Sequence, residues 1–395
     1  MSKVVAEKHK SAFLWEDWFL VIGVIFIVMT KLRLESIPVG PGEVSMLVWA
    51  LLKVRRPPLA YSIYKAKLLT MWFWLIMLLT FSIGSVINLL LFNYSTGFHN
   101  NLAYMFCFLV CFCLDRYVSK PEIISIIYNL IFTGTLIFLV LYLIGSVGIL
   151  KNFLFYSNRF SGGAKNPNQL AFLMACFPFL GLEFFWEKIK NKKYIYAFLW
   201  FFLVIISLYV GLQIRSDAIT GAWCITFFFT FYLSTYTSVF SKRNGLIIRI
   251  ILFFVLSAVL IISYDFIFSK IVSFFNELDE GGSRAFLWST GIETICDSYF
   301  LGLGAGSFAG YSHRSEAHNT IIDFMTQGGI IFILFFLFML VDIFKRLRKD
   351  VFVAGAYIAL VLLTMGHFVG RQPIFYVMLF FFFAYADKRE YQTFV

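Results

Sequence analysis

Long unbroken apolar runs, separated by short polar stretches, set the pattern of this chain. Runs long enough to cross a bilayer fall at 12–30, 68–92, 122–145, 168–186, 194–214, 217–240, 246–268, 320–343 and 351–369. A helix needs about 20 apolar residues to cross a hydrocarbon core of about 30 Å. Three shorter runs, at 42–52, 101–114 and 374–386, bring the set to twelve. The period-two alternation of membrane barrel strands is absent. The pattern predicts an all-α polytopic membrane protein of about 12 transmembrane helices. It forms a single integral membrane domain, 1–395, whose longest polar interruption, 269–319, lies between the ninth and tenth spans.

Within that interruption, Gly281 to Asn319 reads GGSRAFLWSTGIETICDSYFLGLGAGSFAGYSHRSEAHN. Ala285, Trp288, Ile292, Ile295 and Tyr299 recur at three- and four-residue spacing, which predicts one apolar helix face with Glu293 and Asp297 on the other side. Ser283 is placed as its N-cap, so Arg284 enters the first turn. A cation there opposes the positive end of the helix dipole at a cost of roughly 0.3–1 kcal/mol. Gly302, Gly304 and Gly306 then allow tight turns and close backbone approach. His318 closes the segment where the next apolar run begins. The segment reads as an extracytoplasmic loop that carries chemistry.

Composition sharpens the picture. A hydrophobic fraction of 60% with 14% charged residues excludes a soluble domain. In a soluble chain the net charge of +11 would suggest nucleic acid. Here lysines and arginines retained on cytoplasmic loops explain it. With the N-terminus inside, the twelve-span map puts 23 of the 33 Lys and Arg residues on the cytoplasmic side and both termini in the cytoplasm. The N-terminus MSKVVAEKHK shows no removable signal peptide. Five of the six cysteines sit in apolar runs and Cys296 in the loop, so no structural disulfide and no zinc spacing is expected.

The ten cations left outside go against that bias: Lys31, Arg33, Lys151, Arg159, Lys165, Arg215, Lys270, Arg284, Arg314 and Arg371. Lys31 and Arg33 are expected to snorkel from a helix end. Arg215 sits in GLQIRSDAITGAW, in a loop of a few residues between two apolar runs. A guanidinium at a helix centre costs about 2.5–3.5 kcal/mol, so Arg215 should face a polar cavity at the membrane boundary. A pairing with Asp217 at the interface is the simpler alternative. Before the sixth span runs NRFSGGAKNPNQLA, in which Ser161, Gly162 and Gly163 are read as flexible and Asn168 as the cap of the next helix. That ordinary role leaves Arg159 unexplained.

Assembled in this order, NRFSGGAKNPNQLA, the short-loop Arg215, SRAFLW, LGLGAGSF and HNTIIDFMTQGGIIFIL resemble the bacterial O-antigen polymerase and O-antigen ligase superfamily. The likeness runs from about Arg159 to Leu340, and the order and topology of these motifs carry it more than any one of them. It implies a fold similar to the glycosyltransferase C class and undecaprenyl-diphosphate-linked glycans as donor and acceptor. It further implies a multi-pass bacterial inner-membrane protein whose periplasmic active site acts in lipopolysaccharide biosynthesis. Membrane lipids, a chain-length regulator and a flippase are the implied partners. Arg215 and Arg284 match the diphosphate-binding arginines and His318 the catalytic histidine. The Phe-rich chain and the NPN loop look more like a repeat-unit polymerase than a ligase acting on lipid A-core.

The residues themselves suit this chemistry. A diphosphate leaving group needs charge neutralisation more than a strong acid. Arginine binds phosphate oxygens bidentately and stays charged. Arg159, Arg371 and Asn319 are further candidates for substrate binding; together the outside arginines replace a metal, and no cofactor is expected. His318 would accept the acceptor proton near neutral pH, with Asp323 orienting it indirectly. His313 is a weaker candidate, and His367 with Arg371 would line the same cavity. A metal-dependent rival would need Glu277, Asp279 and Glu280. A lipid-linked oligosaccharide transporter would place polar groups near the midplane on broken helices, in two similar halves.

Overall fold

The computed structural model describes residues 13–34, 39–59, 68–92, 98–236, 250, 253–255, 257, 261, 283–307 and 317–392. In order these form α1 (Asp17–Ile27), α2 (Pro41–Val54), a π-helical turn Leu68–Phe73 running into α3 (Trp74–Phe92), α4 (Phe98–Tyr117) and α5 (Lys120–Ser146). A short α6 (Lys151–Leu154) and a hairpin of β1 (Phe155–Tyr156) and β2 (Arg159–Phe160) follow. Next come α7 (Pro167–Met174), α8 (Phe177–Lys190), α9 (Tyr194–Gln213) and α10 (Asp217–Tyr236). The chain continues with α11 (Ser283–Asp297), α12 (Thr320–Leu347), α13 (Val351–Gly366) and α14 (Pro373–Gln392). The all-α expectation holds, and the run at 246–268 falls largely outside the described residues.

Twelve spans are not found among the described residues. Among the described residues five helices are long and apolar enough to cross a membrane: Met71–Phe92, Lys120–Ser146, Pro167–Lys190, Tyr194–Gln213 and Thr320–Leu347. Length removes several others. At about 1.5 Å per residue, the 11 residues of α1 reach roughly 16 Å and the 16 of α13 roughly 24 Å, short of a core of about 30 Å. The helices α4 and α10 have 20 residues each, but Asn100, Asn101, Asp115 and Arg116 stand near the ends of the first and shorten its apolar stretch, and Asp217 opens the second, which also carries four threonines.

Burial sorts the helices. The share of buried residues is 89% in Pro167–Lys190 and 28% in Met71–Phe92, so the first is central and the second faces outward. Phe179, Phe375, Phe380 and Phe382 are fully buried around that centre, whereas Leu78 and Leu90 of α3 are exposed. Opposite ends of the bundle carry different polar groups. At one end Lys53, fully buried, meets Asp17 at 2.8 Å, Glu16 at 3.4 Å and also Glu122, which ties α1, α2 and α5 together. At the other end the exit of α1 is fastened differently. Lys31 donates to the carbonyls of Asn152, Phe153 and Phe155. Arg33 pairs with Glu43. Neither cation simply snorkels, because each finds fixed acceptors on a neighbouring segment.

The segment 159–169 is pinned where flexibility was expected. The N–H groups of Ser161 and Gly162 donate to the Leu154 carbonyl at 2.9 and 3.1 Å, and Lys31 N–H donates to the Gly163 carbonyl at 3.0 Å. Thr30 completes the fastening, accepting from Lys165 N–H and donating to Gln169.

In α12 the helix breaks at Gly329, where φ is 70° and ψ −170°. The glycine-rich turn after α11 fills the break. Leu303 and Gly304 donate their N–H groups to the Thr326 and Gln327 carbonyls at 2.8 and 2.9 Å, and Ile330 N–H donates to the Phe300 carbonyl at 2.9 Å. Irregular backbone at membrane depth persists only where such partners satisfy it. A side chain at Gly329 would run into Phe300 and Leu301 backbone, and its dihedrals belong to a region almost exclusive to glycine. Gly329→Ala is therefore expected to destabilise the protein by at least about 1–3 kcal/mol, read as a lowered thermal midpoint in detergent. Gly221→Ala, in the interior of α10 with no atom near its added methyl, should leave the midpoint unchanged or raise it.

Candidate functional site

One end of the bundle gathers the cations singled out in the sequence. β1 and β2 pair with Tyr156 opposite Arg159, which points the arginine to the α9–α10 turn. Arg159 Nε donates to the Ile214 carbonyl at 3.1 Å, and its Nη2 to Asn168 Oδ1 at 3.2 Å. Ser216 Oγ donates to the same Asn168 oxygen at 2.8 Å. The N-cap of α7 is Asn166, whose Oδ1 accepts from Asn168 N–H at 2.9 Å. Asn168 is thus not the cap, and its side chain is left to join two loops. Burial lowers the Arg159 pKa from its ordinary value, while Asp217 and Tyr156 raise it.

Between Ile214 and Ser216, Arg215 takes a left-handed φ of 49° and is exposed. Its side chain makes no ion pair or hydrogen bond among the described residues, so the alternative pairing with Asp217 is not formed. Asp217 acts electrostatically on Arg159 instead. The turn continues to Ala218, whose Cβ lies 3.2 Å from where a Cβ on Gly366 would stand. That contact brings the arginine loop against the end of α13 and His367.

His318 faces His367 edge-on, with ring centroids 6.4 Å apart. It is exposed and has a positive φ of 53°. Its position is set from both sides. Asn319 caps α12 by accepting from Ile321 and Ile322 N–H at 3.0 and 3.3 Å. Asp323, 1% exposed, accepts from Ala317 N–H at 3.3 Å. Thr320 Oγ1 donates to the His367 carbonyl at 2.7 Å and accepts from Val369 N–H at 3.1 Å, which joins the start of α12 to the turn after α13. Asp323 thereby holds the backbone of the residue that directly precedes His318. The Asn319 oxygen serves as the cap rather than facing a ligand.

Arg371 lies four residues beyond His367, bonded to Asn100 Oδ1 and 5.2 Å from the Phe368 ring centroid. Burial lowers its pKa and Tyr104 raises it. Asn100 also packs against Gly306, where a side chain would collide with it, so the glycine-rich turn abuts the Arg371 corner. Below this corner a groove of about 910 Å³ runs between α3 and α4. Ser85, Asn101 and Tyr104 stand at its head; Trp74, Leu78, Phe81, Met105 and Phe108 form apolar walls. Asn100 was not anticipated; the signal was the polar HNN opening an otherwise apolar helix.

Arg284 enters the first turn of α11 as expected, and its side chain lies outside the described residues. Four residues later Trp288 Nε1 donates to the Ala317 carbonyl at 3.1 Å, which sets α11 beside the His318 turn. Among the described residues, the apolar face read from the sequence and the face buried in the protein coincide only at Ile295. Thr290, Thr294, Ile295 and Ser298 are buried, while Trp288, Ile292 and Tyr299 are exposed. Small polar residues favour close helix packing in membrane proteins, and large apolar ones tolerate a lipid-facing position. His313, Arg314, Glu277, Asp279 and Glu280 lie outside the described residues.

These features define an all-α protein with helices apolar enough to span a membrane and a cationic, histidine-bearing mouth at one end. No protein-family model matches the chain, and no curated protein matches it significantly.

Proposed function

We propose that the protein is a glycosyltransferase that polymerises undecaprenyl-diphosphate-linked oligosaccharide repeat units at the outer face of the bacterial inner membrane. One observation carries this reading: Arg159 bonds to the turn that bears Arg215, that turn packs against the end of α13, and His318 faces His367, four residues before Arg371, so all five lie at a single end of the bundle. In the reaction the bond between the donor's anomeric carbon and its diphosphate oxygen breaks, and the electron pair leaves with the diphosphate. Arg215 and Arg284 neutralise that charge. An acceptor sugar hydroxyl attacks the anomeric carbon and passes its proton to His318 as the new glycosidic bond forms. The groove between α3 and α4 offers the polyprenyl chain an apolar seat below the Arg371 corner. Conversion of purified single repeats into ladders tests the reading; no ladder in the presence of lipid-linked repeats refutes it.

The proposed orientation rests on cations at the end opposite the mouth, where Lys188, Lys190, Lys192 and Lys193 end or follow α8 and Lys345, Arg346, Arg348 and Lys349 end or follow α12. In a background lacking the exposed Cys296, Ser312→Cys should react with an impermeant thiol reagent added outside, and Asn191→Cys should not. The reverse result would put the mouth on the cytoplasmic side, away from the acceptor.

The broken helix α12 favours one second reading, a lipid-linked oligosaccharide transporter. Against it, the glycine-rich turn already occupies the Thr326 and Gln327 carbonyls at the break. Movement of labelled lipid-linked oligosaccharide across liposomes without change of glycan length would favour transport.

A further inference from the structure

We infer that Arg159 is a positioning residue for Arg215 and does not itself bind the anionic ligand; this rests on the proposed diphosphate donor. Both are outside cations in short loops, and from the sequence both compete for the same role. The geometry separates them. Arg159 spends Nε on the Ile214 carbonyl and Nη2 on Asn168, so one edge of its fork is already committed to protein oxygens. A bidentate phosphate contact through that edge is closed to it, and the guanidinium is fixed on the loop it holds. Arg215 is the opposite case, exposed and without a side-chain partner among the described residues.

The bonds of Arg159 fall on the residues flanking Arg215. Ile214 is held through its carbonyl by Arg159, and Ser216 is held through its hydroxyl by Asn168, which Arg159 also holds. Ile214 and Ser216 are both buried. Clamped on each side, Arg215 keeps a left-handed backbone that a residue with a Cβ rarely adopts. The left-handed turn leaves its side chain exposed. Asn168 is the hub, and the cap made by Asn166 fixes the backbone of that hub.

The test is epistasis in the binding of a glycan-free polyprenyl diphosphate to the full-length protein in nanodiscs. Arg159→Ala should weaken binding roughly tenfold in the wild-type background and by less than about twofold when Arg215 is already Ala, because residues of one network couple. Asn168→Ala should behave like Arg159→Ala, and Asn168→Asp, which keeps an acceptor oxygen for both donors, should restore binding to within about twofold of wild type. An unshifted thermal midpoint in each variant separates positioning from misfolding, and the Asp rescue stands where an Ala variant fails to accumulate. Equal weakening by Arg159→Ala with and without Arg215, or no rescue by Asn168→Asp, overturns the inference and leaves the donor assignment standing. A wild-type protein that does not bind the probe overturns both.

Discussion

Replacing Arg215 with Ala should reduce polymer formation by about 10²–10³ or more, the loss usual for removing one preorganised donor from developing negative charge. The protein should still accumulate in the membrane, because the Arg215 side chain is exposed and supports no contact among the described residues. Lysine at this position should restore only part of the rate. An ammonium supplies the charge as a single point, whereas the guanidinium supplies two parallel bonds to phosphate oxygens. Arg284→Ala should act on the same step. Ladder assays on purified variants at matched protein levels check both, and full activity with Ala at both positions would remove the arginines from the mechanism.

His318→Ala should lower turnover by about 10²–10⁴, the usual contribution of a positioned base, while donor binding stays close to wild type. On the proposed mechanism the exposed ring beside His367, next to the Asn319 cap and the Asp323 bond to Ala317, takes a proton from the incoming hydroxyl and leaves the leaving group to the arginines. The wild-type rate should also fall with increasing acidity, because a protonated imidazole cannot accept a proton. That acid limb should vanish in His318→Ala. Collapse of donor affinity in the variant, or an unchanged acid limb without the histidine, would assign His318 to binding instead.

Much of the candidate site was legible because polar residues in this chain are scarce. Arg159, Arg215, His318 and Arg371 were found as exceptions to an apolar background and to the cation bias, and the fold places all four at one end of the bundle. Their partners were less legible. Asn168 read as a helix cap because Asn-Pro-Asn offers two candidates two residues apart, and only the backbone geometry shows that Asn166 takes the role. Asn100 carried no signal beyond its polarity, since its importance lies in Arg371, 271 positions away.

The apolar pattern by itself determined that this is an all-α chain with membrane-spanning helices, because runs of about 20 apolar residues can satisfy their backbone within lipid only as helices. It did not determine how many helices span. Run length counts residues without saying where a helix breaks or ends, and five helices among the described residues meet the requirement where twelve were expected. Only the tertiary structure decided which face of α11 is buried, since in lipid an apolar face need not turn inward. Only it decided that Leu303 and Gly304 satisfy the break in α12, and that Arg159 and Asn168 hold the residues on either side of Arg215. Hydrogen bonds between segments far apart in the chain depend on which helix ends meet, and no local pattern records that meeting.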